Sequence, residues 1–250
     1  MATYILVPGF WLGGWAWKNV TEILRGENHE VFPVTLTGLG EKVHLGSEKT
    51  SLDTHIADVV NLIKYNELEN VYLAGHSYGG VVITAVADQI SEKIAKLIYV
   101  DSAPMPDGSA LVDFYPSERR NAFEKSVMEN GGGWLLPLPP RDSPVHAENL
   151  KDVDDEMWER FERMATSQPF NVSLQKLNLK NPLRKNLPKL AIFSVFSITQ
   201  VKEMINSGAP LFQELADPNF EFVELPTGHY PMFSRPGELA DLLIKAAEEN

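Results

Sequence analysis

With 250 residues, 44% hydrophobic and 22% charged, the chain is long enough for one sizeable core and has the composition of an ordinary globular protein rather than a disordered one. Its 22 basic residues stand against 34 acidic ones, a formal net charge of -12, which disfavours nucleic-acid backbones and anionic lipid as partners because no segregated basic patch offsets it. The absence of cysteine excludes disulfides, thiol catalysis and thiolate metal sites together.

Tyr4 to Val7 reads as a first strand. The wider apolar stretch to Trp17 has no basic residues before it and is interrupted by Gly9, Gly13 and Gly14, so it predicts a strand and a glycine-rich turn rather than a secretory leader. No run reaches the ~18 to 20 apolar residues of a membrane span, and a cytoplasmic location is expected. Val31 to Leu36 reads as a second strand, and Pro33 inside it either argues against a strand there or places it at a sheet edge. Ile56, Val59, Val60 and Ile63 recur at helical spacing, which predicts a crossover helix from Asp53 to Tyr65 with one apolar face. Val71 to Ala74 and Leu97 to Val100 are further strands, and the alternation predicts a parallel sheet covered by helices on both faces.

Composition changes after Asp101. Residues 104–188 are rich in proline, glycine and charge and read as an insertion between two parts of one core, residues 1–103 and 189–250. Within it, Asp154 or Asp155 caps a predicted helix that aligns Met157, Trp158, Phe161 and Met164 on one face. The simplest role of that face is to seal the insertion to the body. The sheet pattern resumes with Leu190 to Phe196 and Phe220 to Leu225, and a last amphipathic helix runs from Glu238 to Ala247.

The chemistry centres on Gly75-His76-Ser77-Tyr78-Gly79-Gly80, which follows a strand and opens a helix-like run from Val81 to Ala87. A serine at such a turn adopts a strained backbone, and small residues two positions either side let the neighbouring chain pass. Ser77 is therefore the candidate nucleophile, with the positive end of a helix beneath it. An alcohol needs a base. His29, His44, His55 and His146 lie in loop or helix contexts without a preceding strand end, and His76 reads as a packing residue beside the serine. His229 follows the last strand, where functional groups of an open α/β sheet collect, and is the candidate base. The amides of Tyr78 and Phe10 are the expected oxyanion donors. Gly9, Trp11, Leu12 and Trp134 are candidate pocket residues.

Pro8-Gly9-Phe10-Trp11-Leu12-Gly13-Gly14-Trp15, Thr37-Gly38-Leu39-Gly40, the Ser77 hexapeptide and Gly228-His229 stand in an order and spacing that resembles the α/β-hydrolase superfamily. The likeness is to the branch holding plant salicylate and jasmonate methyl esterases, hydroxynitrile lyases and bacterial esterase-like proteins. It implies an α/β-hydrolase fold, a serine-acid-histidine triad, a helical cap over an apolar pocket, and neither cofactor nor metal. Three positions depart from the pattern. Pro8 and Leu12 stand where such relatives carry histidines, and after Phe196 the sequence reads Ser197-Ile198-Thr199-Gln200, with no carboxylate where the acid normally sits. Glu203 is nearest but falls late, inside the following helix. Asp101, after the strand that follows the nucleophile, matches the placement in certain lipases and dehalogenases. The acid is thus Asp101, Glu203, or absent.

The expected activity is serine-dependent cleavage of a small, largely apolar carboxylic ester, with no nucleic-acid or membrane partner and the oligomeric state open. A non-catalytic ligand-binding protein is the alternative that a missing acid would favour. A hydroxynitrile lyase is disfavoured because Tyr230 and Gly9 occupy the places of that group's lysine and threonine.

Overall fold

Tyr4 to Val7 and every residue from Val71 to His76 are buried, the pattern of strands covered on both faces rather than on one. The computed structural model describes residues 1–146 and 149–248. In chain order its elements are β1 (Thr3–Val7), α1 (Lys18–Gly26), β2 (Glu30–Pro33), α2 (Leu52–Tyr65), β3 (Val71–His76), α3 (Tyr78–Ile90), β4 (Ile94–Val100), α4 (Ser117–Asn130), β5 (Leu135–Leu136), α5 (Asp155–Met164), β6 (Gln168–Pro169), α6 (Asn171–Leu174), β7 (Lys189–Phe193), α7 (Ile198–Asn206), β8 (Phe220–Glu224), α8 (Pro231–Ser234) and α9 (Pro236–Glu248).

Six strands form one parallel sheet in the order β2-β1-β3-β4-β7-β8. All their carboxyl ends therefore open on one side. Tyr4 and Tyr72 face each other across β1 and β3, and their hydroxyls donate to the Leu243 and Ala247 carbonyls at 2.9 and 3.3 Å, which seats α9 on the sheet. Helix α1 packs on α9, and α2 packs on α3. Among the described residues no helix is long and apolar enough to cross a membrane.

The expected strands form, with ends shifted for local reasons. β2 is an edge strand, as Pro33 requires, and it stops at that residue rather than at Leu36. β7 stops at Phe193 rather than Phe196 because the next two amides, of Ser194 and Val195, turn away from the sheet to donate to Asp101. In α5 the Asp154 carboxylate accepts the Met157 amide at 2.8 Å and Trp158 and Phe161 are buried, but Met164, at the last turn, is 39% exposed. Helix α4 and the short antiparallel pair β5-β6 were not legible in the sequence. Only Phe123 and Val127 of α4 are buried, too few to make an apolar period.

Candidate active site

Ser77 sits between the end of β3 and the start of α3 with φ 52° and ψ -122°. Left-handed backbone at a residue with a side chain costs on the order of 1–3 kcal/mol and persists only where the surroundings impose it. They do so here. A Cβ on Gly75 would lie 2.5 Å from the Gly79 carbonyl, and one on Gly79 would lie 2.5 Å from the Val7 carbonyl oxygen, so both positions admit only glycine. The Ser77 amide donates to the Val100 carbonyl at 3.2 Å, and the Ser102 hydroxyl donates to the Ser77 carbonyl at 2.6 Å.

His229 lies in the loop after β8. Its amide donates to the Asn149 carbonyl at 2.8 Å, and the Gly228 amide to the Lys151 carbonyl at 3.1 Å. A Cβ on Gly228 would come within 2.5 Å of the Asn149 oxygen, so glycine lets residues 149–151 lie against the histidine loop. His76, fully buried, donates from Nε2 to the His229 carbonyl at 2.6 Å. Burial, and then the neighbouring His229, push the His76 imidazole down to about 3, so it stays neutral and holds this tautomer. Packing beside the site is the role the sequence suggests for it; the anchoring of His229 is new.

Asp101 directly follows β4, with φ 43°. Its Oδ2 lies 2.5 Å from His229 Nδ1, and its Oδ1 accepts the amides of Ser194 at 2.8 Å and Val195 at 3.1 Å. Burial raises the carboxyl pKa, but the hydrogen bond and charge of His229 together with the two amides outweigh it, and the group is held below its ordinary value. With Nδ1 donating to the carboxylate, His229 Nε2 is the acceptor for the Ser77 hydroxyl, 2.8 Å away. Glu203 is exposed on α7. The loop after β7 thus supplies two amide donors to an acid on the neighbouring strand instead of supplying the acid.

Phe10 and Tyr78 are buried beside the serine with ring centroids 4.9 Å apart, and no hydrogen bond to either amide is found among the described residues. Trp11, with φ 65°, is clamped at three atoms. Its amide donates to Gln168 Oε1 at 3.2 Å, its indole to the Leu136 carbonyl at 3.1 Å, and its carbonyl accepts the Thr166 amide at 3.0 Å. Tyr78 is tied by its hydroxyl to His55 Nδ1 at 2.9 Å, while His55 Nε2 donates to the Thr37 carbonyl at 2.8 Å. His55 is therefore a buried packing group, lowered by burial to about 4.

A cavity of about 220 Å³ opens over this arrangement, lined by Phe10, Trp11, Ser77, Tyr78, Asp101 and His229. Leu111, Tyr115, Phe123, Val145 and Asn149 complete much of its wall. Of the pocket residues suggested by sequence, Trp11 lines it and three do not. Leu12 is wholly buried in the core, Gly9 is pressed against His76 and Ser77, and Trp134 lies at Gly46, away from the cavity. The lining from residues 111–149 carried no signal of its own, although Arg119 and Phe123 stand one helical turn apart. Among the described residues no group of three or more histidine and carboxylate side chains is placed to hold a metal ion.

A model of the alpha/beta hydrolase family matches residues 4–242. The chain is 32% identical over 259 residues to a carbendazim hydrolyzing esterase of Nocardioides sp., covering 97% of this chain and 98% of that one. It is 22% identical over 258 residues to methylesterase 17 of Arabidopsis thaliana, covering 98% of this chain and 91% of that one, and it spans 56% of the longer chloroplastic methylesterase 13 of the same plant. Among solved structures, an extracellular alpha/beta-hydrolase from a Paenibacillus species superposes with a TM-score of 0.81 at 23% identity, covering 98% and 99% of the two chains. A methylesterase from Arabidopsis superposes with a TM-score of 0.76 at 18% identity over the full length of both. The chain belongs to the alpha/beta hydrolase family, is a carboxylic ester hydrolase, and is similar to the methylesterases of that family.

Proposed function

We propose that the protein cleaves a small, largely apolar carboxylic ester through an acyl-enzyme on Ser77. The observation that carries this is the unbroken chain from Ser77 Oγ through both ring nitrogens of His229 to Asp101 Oδ2, at 2.8 and 2.5 Å. Ser77 Oγ attacks the ester carbonyl while His229 Nε2 takes its proton, and Asp101 holds the imidazole tautomer and stabilises the imidazolium that forms. The amides of Phe10 and Tyr78 receive the oxyanion, the latter at the amino-terminal end of α3. His229 then returns the proton to the leaving alkoxide, the alcohol departs, and a water deprotonated by the same nitrogen cleaves the acyl-enzyme.

The cavity volume of about 220 Å³ and its aromatic wall support a small apolar acyl or alkoxy group. Residues 104–188 act as a cap, because Leu111, Tyr115, Phe123, Val145 and Asn149 of that segment form the wall facing Ser77. The carboxylate on His229 supports catalysis over a non-catalytic binding protein. Organophosphonate labelling followed by peptide mapping tests the proposal. The adduct is expected on Ser77 and absent from Ser77→Ala; an adduct on another serine with activity retained in Ser77→Ala would reject it.

A further inference from the structure

Arg119 is the only lysine or arginine among the described residues that line the cavity over Ser77, and Asp101 is the only carboxylate there. That carboxylate is already engaged by His229, Ser194 and Val195. The other basic residues of α4 pair along its solvent side, Arg120 with Glu124 at 2.9 Å and Lys125 with Glu129 at 3.9 Å. Four residues before and after Arg119 stand Tyr115 and Phe123, both on the cavity wall. Phe123, one turn on in α4, puts Arg119 on the cavity side of the helix, while Tyr115 lines the cavity from just before its first residue, and no free acid answers the guanidinium there. Arg119 makes no ion pair or hydrogen bond among the described residues.

In a chain with 34 acidic residues and 22 basic ones, leaving one guanidinium unpaired at the mouth of a mostly apolar cavity is unusual. It is exposed, so water solvates it in the free protein, and its planar fork fits a carboxylate that brings two acceptor oxygens. Resting on the proposed ester cleavage, we propose that the site selects esters bearing a remote anionic group, such as half-esters of dicarboxylic acids. The scissile carbonyl lies at Ser77 between the Phe10 and Tyr78 amides, an apolar spacer runs along Tyr115 and Phe123, and the free carboxylate reaches Arg119. The local cation also offsets the repulsion that a net charge of -12 exerts on an anionic substrate.

The test compares monophenyl adipate with the neutral phenyl hexanoate of equal chain length. Binding is measured by calorimetry on Ser77→Ala protein at low ionic strength, so that the result does not depend on turnover. The anionic ester is expected to bind more tightly, and the ratio of the two affinities to fall about fivefold when Arg119→Gln is added, the scale of one partly exposed ion pair. Arg119→Glu should invert the preference, and added salt should erode it. A ratio unchanged by both substitutions, or a preference for phenyl hexanoate in the Ser77→Ala background, overturns the inference. Turnover of phenyl hexanoate by the native enzyme is read separately: its absence counts against ester cleavage, not against the binding preference.

Discussion

Three titratable groups crowd around Ser77, and their surroundings separate their behaviour. Asp101 is held below its ordinary carboxylate value by His229 and two amides, working against burial, and His76 is lowered to about 3 by burial and by its neighbour. Neither changes protonation between about pH 5 and 8, the range in which histidine ordinarily titrates. For His229 Nε2 to accept from Ser77 its imidazole must be neutral. We therefore expect kcat/KM to fall with decreasing pH along a limb that steepens to one proton and no more. A limb of two protons would show that His76 also titrates and would contradict its neutral anchoring role. The identity of His76 as a histidine was visible in the hexapeptide, but its hydrogen bond to the His229 carbonyl spans 153 residues and leaves no local trace.

At the level of elements, the loop after β1, which carries the proposed oxyanion donor Phe10, is held by a segment more than a hundred residues away. Gln168, wholly buried at β6, accepts the amide of Trp11, the residue following the proposed donor Phe10. Trp11 keeps φ 65° under that restraint. Gln168→Leu leaves a buried N–H without an acceptor, which costs roughly 1–3 kcal/mol, and lets the loop relax so that the Phe10 amide points less well. Loss of a whole oxyanion donor costs about 10² to 10³ in rate. Misdirection of one should lower kcat about tenfold, with KM little changed when measured per folded molecule. A loss of thermal stability with normal kcat would make Gln168 a structural residue only. The glycine turn after Val7 was legible because its residues are contiguous; its clamp was not, because β5 and β6 are two residues each and Gln168 lies in a stretch without periodicity.

At the scale of the whole molecule, among the described residues folding buries the imidazoles of His55, lowered to about 4, and His76, lowered to about 3, each from an ordinary 6.5, and burial lowers His146 as well. Unfolding frees them to take up protons below pH 6.5, so the unfolded chain binds more protons and stability declines as the pH falls from there toward 4. Urea unfolding at pH 7, 6 and 5 should show this decline, with a limiting slope of about 1.4 kcal/mol per pH unit for each imidazole. His55→Gln should flatten it, and a slope unchanged by that variant would contradict the buried neutral state. The parallel sheet, its edge strand at Pro33 and the elbow at Ser77 were readable in sequence because strand, turn and helix signals there are local. The proposed acid was legible only as a choice among Asp101, Glu203 and none, since the loop where it normally sits lacks a carboxylate and Asp101 is joined to His229 across 128 residues. Asp101→Asn tests that junction directly beside Glu203→Gln. The Asp101→Asn protein is expected to fold and its kcat to fall by orders of magnitude, about 10⁴ by analogy with other triads, while Glu203→Gln keeps a normal rate; near-normal turnover in Asp101→Asn would contradict a role for Asp101 on His229.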